Sequence, residues 1–131
     1  MTGVQTCALP ISRRLVAAGV TPVLIGTKSE AGLLKSIAAS AVGTKNLAGA
    51  TSLLEIAVLA RGAYAAVGND TGPMHLIAAA GVPVVVLFSS ASDPALCAPR
   101  GPKGEATVTV LRCDTLADLA EAKVASALKL L

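Results

Sequence analysis

Residues 69–75 read Asn-Asp-Thr-Gly-Pro-Met-His. They stand between two apolar runs. Ala63-Tyr64-Ala65-Ala66-Val67 predicts a buried parallel strand, and residues 75–80 predict a short helix packed on the sheet. A polar stretch at such a junction offers anion binding. A helix N-terminus presents free backbone N–H groups and a partial positive charge, which suit a phosphate. Gly72 lets a ligand approach the backbone closely, and Pro73 fits a first helical turn, where no N–H is needed. Asp70 either caps the helix or accepts a hydrogen bond from a ligand hydroxyl. The turn centred on Thr71 therefore reads as a phosphate cradle. His75, one turn into the helix, either adds a hydrogen bond to a ligand oxygen or is a satisfied core histidine.

The elements that must position this junction follow from periodicity and punctuation. Residues 12–18 read as the end of a helix closed by Gly19, and residues 21–25 as a short strand ending at Gly26. A helix capped by Thr27 or Ser29 runs to about residue 41, with Leu33, Leu34, Ile37 and Ala38 on one face. Residues 46–48 form a brief strand. Thr51 or Ser52 then caps a helix in which Glu55 completes a capping box with Ser52 and which carries Leu53, Leu54, Ile56, Ala57 and Leu59. After the junction come a strand at 84–88, an aperiodic loop over 89–105 and a last strand at 107–111. A closing helix over 115–130 turns Leu116, Leu119, Val124 and Leu128 inward. Strict alternation with short connections implies an α/β fold with a doubly wound parallel sheet, whose ligands bind at the carboxyl ends of the strands.

Composition agrees. The 131 residues are 53% hydrophobic and 2% aromatic, so the core is aliphatic, as parallel strands covered by helices require. The longest nearly apolar run, residues 76–88, contains Gly81 and Pro83 and falls short of the ~20 residues of a transmembrane helix. The net charge of +3 includes no basic run interleaved with aromatics, which argues against nucleic acid as a partner. Cys7, Cys97 and Cys113 match no metal or redox spacing and read as ordinary reduced thiols.

Residues 1–11 resemble a translated sequencing adapter and are set aside from fold reasoning, which leaves 12–131 as the native domain. Within it, Asn69-Asp70-Thr71-Gly72-Pro73-Met74-His75, followed by Gly81-Val82-Pro83 and Leu87-Phe88, resembles glycosyltransferase family 9, the heptosyltransferases of lipopolysaccharide core assembly. The resemblance runs from Ser12 to the end of the chain. It implies the C-terminal, donor-binding Rossmann-like half of a GT-B fold, lacking its first strand. The implied activity is transfer of a sugar from a nucleotide-sugar, typically ADP-heptose, to a lipid-linked saccharide acceptor, with no cofactor and no metal. It also implies a cytoplasmic enzyme, peripheral at the inner face of the inner membrane. Asp70, Thr71, Gly72 and His75 would line the donor site, Glu30 would bind the nucleoside, and Thr51 would lie near the base. Glu30 also reads as a solvated first-turn residue and Thr51 as a cap. The catalytic base belongs to the other domain, so no residue here is assigned to it. Ser89-Ser90-Ala91-Ser92-Asp93-Pro94 stands where the family often has Gly-Pro-Thr-Asp-Pro, which leaves the sugar open. A sugar-nucleotide epimerase half and a non-catalytic nucleotide-binding module are the alternatives.

In a doubly wound sheet of order 3-2-1-4-5-6 the first strand is central. Its loss would leave the 21–25 and 63–67 strands without the partner between them. The expectation is then an unstable chain, or residues 4–8 filling the gap as a surrogate strand.

Overall fold

The computed structural model describes residues 3–69, 72–88, 108–112 and 121–128. The chain divides into two units, residues 1–51 with 120–131 and residues 52–119.

The first unit begins with helix α1 (Gly3–Ala17), which ends where Gly19 takes a positive φ of 79°. Val20 N–H then donates to Leu15 O and Gly19 N–H to Val16 O, a Schellman closure that satisfies two terminal carbonyls. Strand β1 (Val23–Leu24) follows, then a single 3-10 turn (Lys28–Glu30) and helix α2 (Ala31–Ser40). Strand β2 (Lys45–Asn46) pairs parallel with β1, Val23 opposite Lys45. Leu34 and Ile37 bury the inner face of α2 as expected, whereas Leu33 and Ala38 are half-buried. Helix α1 packs against α2 and against the closing helix α5 (Glu121–Ala127). Val124 and Leu128 are buried, as their spacing predicts, while Leu116 and Leu119 lie outside the described residues.

The second unit contains helix α3 (Leu53–Arg61), strand β3 (Ala66–Asn69), helix α4 (Gly72–Ala79) and strands β4 (Val84–Phe88) and β5 (Val108–Arg112). The strands lie in the order β3-β4-β5, all parallel, with Ala66 opposite Val84 and Val84 opposite Val108. All five residues of β4 are buried, because a neighbour covers each edge and its apolar side chains meet packing on both faces. Helix α4 covers β3 and β4 and packs on α3. Of the apolar residues the helix carries, Ile56 and Ala60 bury one face of α3, whereas Leu53, Leu54 and Leu59 are exposed. Leu54 lies off the Ile56–Ala60 stripe, while Leu53, three residues before Ile56, shares that stripe but stands in the first turn of the helix.

Among the described residues the strands form two sheets, β1-β2 and β3-β4-β5, so the strands predicted at 21–25 and 63–67 share no partner, as expected. Within each, neighbours and direction are those of the strands that flank the first strand of a 3-2-1-4-5-6 sheet. Residues 4–8 do not supply that strand: they lie in α1, a 15-residue helix that carries Pro10 in its interior and buries Ile11. A surrogate strand would have required this segment to abandon helical hydrogen bonds for one short ladder.

Strand β3 starts at Ala66, three residues later than its apolar run suggested, and the contrast between β4 and the segment leading into β3 gives a direct test. Phe88, 1% exposed, should cost about 3–5 kcal/mol on replacement by Ala. Tyr64→Ala, at a position 65% exposed, should stay within about 0.5 kcal/mol. Urea unfolding of the two variants measures both.

Candidate functional site

The junction singled out by sequence lies at the carboxyl edge of the β3-β4-β5 sheet. Strand β3 runs two residues further than its apolar run suggested, so Gly68 and Asn69 are strand residues, opposite Val86 and Leu87. Gly68 is there for proximity. A Cβ on it would stand 2.9 Å from Met74 Sδ and 3.3 Å from Met74 Cγ. Met74 is buried, so the missing side chain of Gly68 is what allows the first turn of α4 to settle on β3.

Helix α4 opens at Gly72, and a Cβ built there meets nothing within 4 Å. The start of the helix is thus open on that side. Pro73, the second helical residue, occupies a first-turn position where no intrahelical donor is lost. His75 is exposed one turn in, which sets aside the core-histidine reading. Asn69, not among the expected site residues, ends the strand with its Oδ1 shut off from solvent and, among the described residues, without a hydrogen-bond partner. Asp70 and Thr71 lie outside the described residues. So do Asp93, Pro94, Arg100, Cys97 and Cys113, and nothing is described of the Cys7 side chain.

Glu30 and Thr51 belong to the first unit, at the carboxyl ends of β1 and β2. Glu30 Oε1 accepts from Thr27 N–H and from Thr27 Oγ1, both at 3.0 Å, while Thr27 Oγ1 also bonds Ser29 Oγ at 2.7 Å. One carboxylate oxygen is therefore occupied in holding the turn that starts α2. The loops bearing Glu30 and Thr51 meet: Gly49 N–H donates to Gly26 O at 2.7 Å. Gly49 has φ +67°, and a Cβ on it would collide with Lys28 Cγ. Gly49 lets the two strand ends come together, with Lys28 lying across it, whereas a Cβ on Gly26 would meet Leu34 Cδ1 at 2.7 Å. Thr51, half-buried, precedes the cap rather than forming it. Ser52 is the N-cap of α3: its Oγ accepts from Glu55 N–H at 3.2 Å, and its N–H donates to Glu55 Oε1 at 3.0 Å. The Ser52 backbone N–H, with its hydroxyl adding, holds the Glu55 carboxyl below its ordinary value.

The structure thus places Gly72 and His75 on one helix in one unit, and the segments of Glu30 and Thr51 side by side in the other. Gly68 and Asn69 were missed because the apolar run stops at Val67; a glycine at a strand end followed by a polar residue was the available signal. Among the described residues no three His, Cys, Asp or Glu side chains gather to hold a metal ion.

The sequence profile of glycosyltransferase family 9 (heptosyltransferase) matches residues 11–124. The chain belongs to that family. Its fold is similar to that of Escherichia coli ADP-heptose lps heptosyltransferase II, at a TM-score of 0.84 and 25% identity over 95% of this chain and 40% of that one. It is similar to E. coli heptosyltransferase WaaC, solved with ADP, at 0.84 and 24% identity over 95% and 38%. A family 9 glycosyltransferase from Veillonella parvula DSM 2008 aligns at 0.77 and 21% identity over 97% and 39%. No curated protein sequence matches the chain. The chain spans about two fifths of the length of these solved structures. The α/β class with parallel strands expected from the alternation is that of this family.

Two expected outcomes follow from the packing. Gly68→Ala should destabilise by about 1–3 kcal/mol because Met74 must move, whereas Gly72→Ala, which meets nothing, should leave the melting temperature within a degree or two of wild type. Thermal melts followed by circular dichroism compare them. Ser52→Ala should cost about 1 kcal/mol at neutral pH. Because the Glu55 carboxyl is held low in the folded state, its stabilising share is present above the ordinary carboxylate range and lost on acidification. The stability gap between wild type and Glu55→Gln should therefore narrow as pH falls, as urea titrations across pH would show.

Proposed function

We propose that this chain is the donor-binding half of a family 9 glycosyltransferase that takes an ADP-linked, heptose-like sugar. The observation that carries the reading is the open N-terminus of α4 at the end of β3, within a fold like that of a heptosyltransferase solved with ADP. In transfer, an acceptor hydroxyl oxygen bonds to the anomeric carbon as the bond from that carbon to the diphosphate breaks. Nucleoside diphosphate leaves with the electron pair, and a base takes the hydroxyl proton. Negative charge grows on the departing diphosphate, and pre-aimed N–H groups stabilise it without reorganisation. The first turn of α4 supplies such donors, Gly72 leaves room for the phosphate, and His75 adds a hydrogen bond to a phosphate or sugar oxygen.

Asp70 and Thr71 are assigned to the same site on the motif alone. Glu30 is assigned to the nucleoside through its second carboxylate oxygen, and Thr51 to the neighbourhood of the base. The reaction requires neither cofactor nor metal in this reading. The base and most of the acceptor site lie in polypeptide beyond these 131 residues. No described helix is long and apolar enough to cross a membrane. The acceptor is a lipid-linked saccharide, which puts the enzyme in the cytoplasm, peripheral at the inner face of the inner membrane.

Isothermal titration of the chain with ADP, ADP-heptose, a UDP-sugar and NAD tests the assignment. ADP and ADP-heptose should bind and the other two should not. His75→Ala should weaken ADP by about tenfold, the usual value of one hydrogen bond to a charged group. Equal binding of NAD, or no binding of ADP, would overturn the reading.

A further inference from the structure

The charge of the chain is segregated. The unit formed by residues 1–51 and 120–131 carries seven of the eleven Lys and Arg but only two of the eight Asp and Glu, a net +5. The unit of residues 52–119 carries four basic and six acidic residues, a net −2. The modest total of +3 hides this asymmetry, which is a physical statement about partners rather than about fold.

Within the basic unit the described cations are exposed: Arg13, Arg14, Lys28, Lys35, Lys45 and Lys123. Part of the set is drawn to one place. Arg13 Nε donates to Ser40 O at 3.2 Å, so the guanidinium of α1 sits at the C-terminus of α2. Two residues on, Val42 is 85% exposed, the most exposed large aliphatic among the described residues. Lys45 begins β2 three residues later, and Lys35 lies on the same helical stripe as Ala39, the residue before Ser40. A Cβ on Gly43 would stand 3.9 Å from both methyls of Val16, which fixes the turn bearing Val42 against α1.

We infer that this surface, centred on Arg13, Val42 and Lys45 with Lys35 beside it, rests on an anionic lipid bilayer. The inference rests on the peripheral-membrane part of the proposed function and names the surface responsible. Basic side chains near an anionic leaflet gain electrostatic attraction additively, and an exposed aliphatic side chain enters the headgroup region. Nucleic acid is the poorer match. The chain's only aromatic residues, Tyr64 and Phe88, both lie in the other unit, so the basic unit has none on which a base would stack.

Sedimentation of the 131-residue chain with vesicles tests this. One set holds one-third phosphatidylglycerol in phosphatidylcholine, the other phosphatidylcholine alone. The chain should bind the anionic vesicles, lose that binding at high salt, and ignore the neutral ones. Lys35→Gln with Lys45→Gln should weaken binding by at least tenfold, and Val42→Ser should weaken it severalfold while leaving the salt dependence intact. Circular dichroism spectra matching wild type establish that the variants are folded. Binding to neutral vesicles, unchanged binding by the double variant, or displacement by millimolar inorganic phosphate would each overturn the inference. Titrating the same variants with ADP separates the two readings. Retained ADP affinity with no vesicle binding removes the membrane surface alone, and vesicle binding without ADP affinity removes the donor site alone.

Discussion

Parallel pairing of β3 with β4 obliges the chain to cross back over the sheet between them, and α4 makes that crossing. A helix that follows a parallel strand starts where the strand ends, so its unsatisfied N–H groups sit at the carboxyl edge of the sheet. Everything assigned to this site depends on that constraint. The fully buried apolar β4 makes the ladder worth forming, and Gly68 makes the helix start close: with no side chain there, Met74 packs directly on the strand. The same rule acts in the other unit, where the turn after β1 and the loop after β2 meet through Gly26 and Gly49. Two separate strand-to-loop edges are thereby built by one geometric device.

The elements were legible where burial and propensity agree. Residues 84–88 are an uninterrupted apolar run, and the structure makes them a strand with those bounds. Gly19, which adopts the left-handed conformation the helix end demands, marked the close of α1, and the Ser52–Glu55 spacing marked the start of α3. Strand ends were less legible. β3 runs to Asn69 because ladder hydrogen bonds to β4 continue past the last apolar side chain, and backbone pairing leaves no trace in hydrophobicity. The exposure of Leu53 and Leu54 was invisible for a related reason. An apolar residue at a helix start reports a preference for burial, not the presence of something to be buried against.

At the candidate site the sequence identified the junction and two of the residues that the structure sets on one helix, Gly72 and His75. It placed Asn69 in the junction but gave it no role; only three dimensions reveal its sealed oxygen, without a hydrogen-bond partner among the described residues. Glu30 illustrates a carboxylate with two readings that coexist. It anchors the first turn of its helix through one oxygen, as a residue in that position commonly does, and its loop still lies at a strand edge. The helical state of residues 4–8 follows from the chain around them. Residues 12–17 continue the helix without a break, so the segment extends a nucleated helix rather than starting a ladder.

The central claim is that the start of α4 cradles the diphosphate of a nucleotide-sugar. The most direct measurement is an amide-resolved NMR titration of the isotope-labelled chain with ADP. The account predicts saturable shifts concentrated at the backbone amides of Gly72, Met74 and His75. Shifts scattered over the surface, or a saturable response that leaves the amides of α4 untouched, would contradict it.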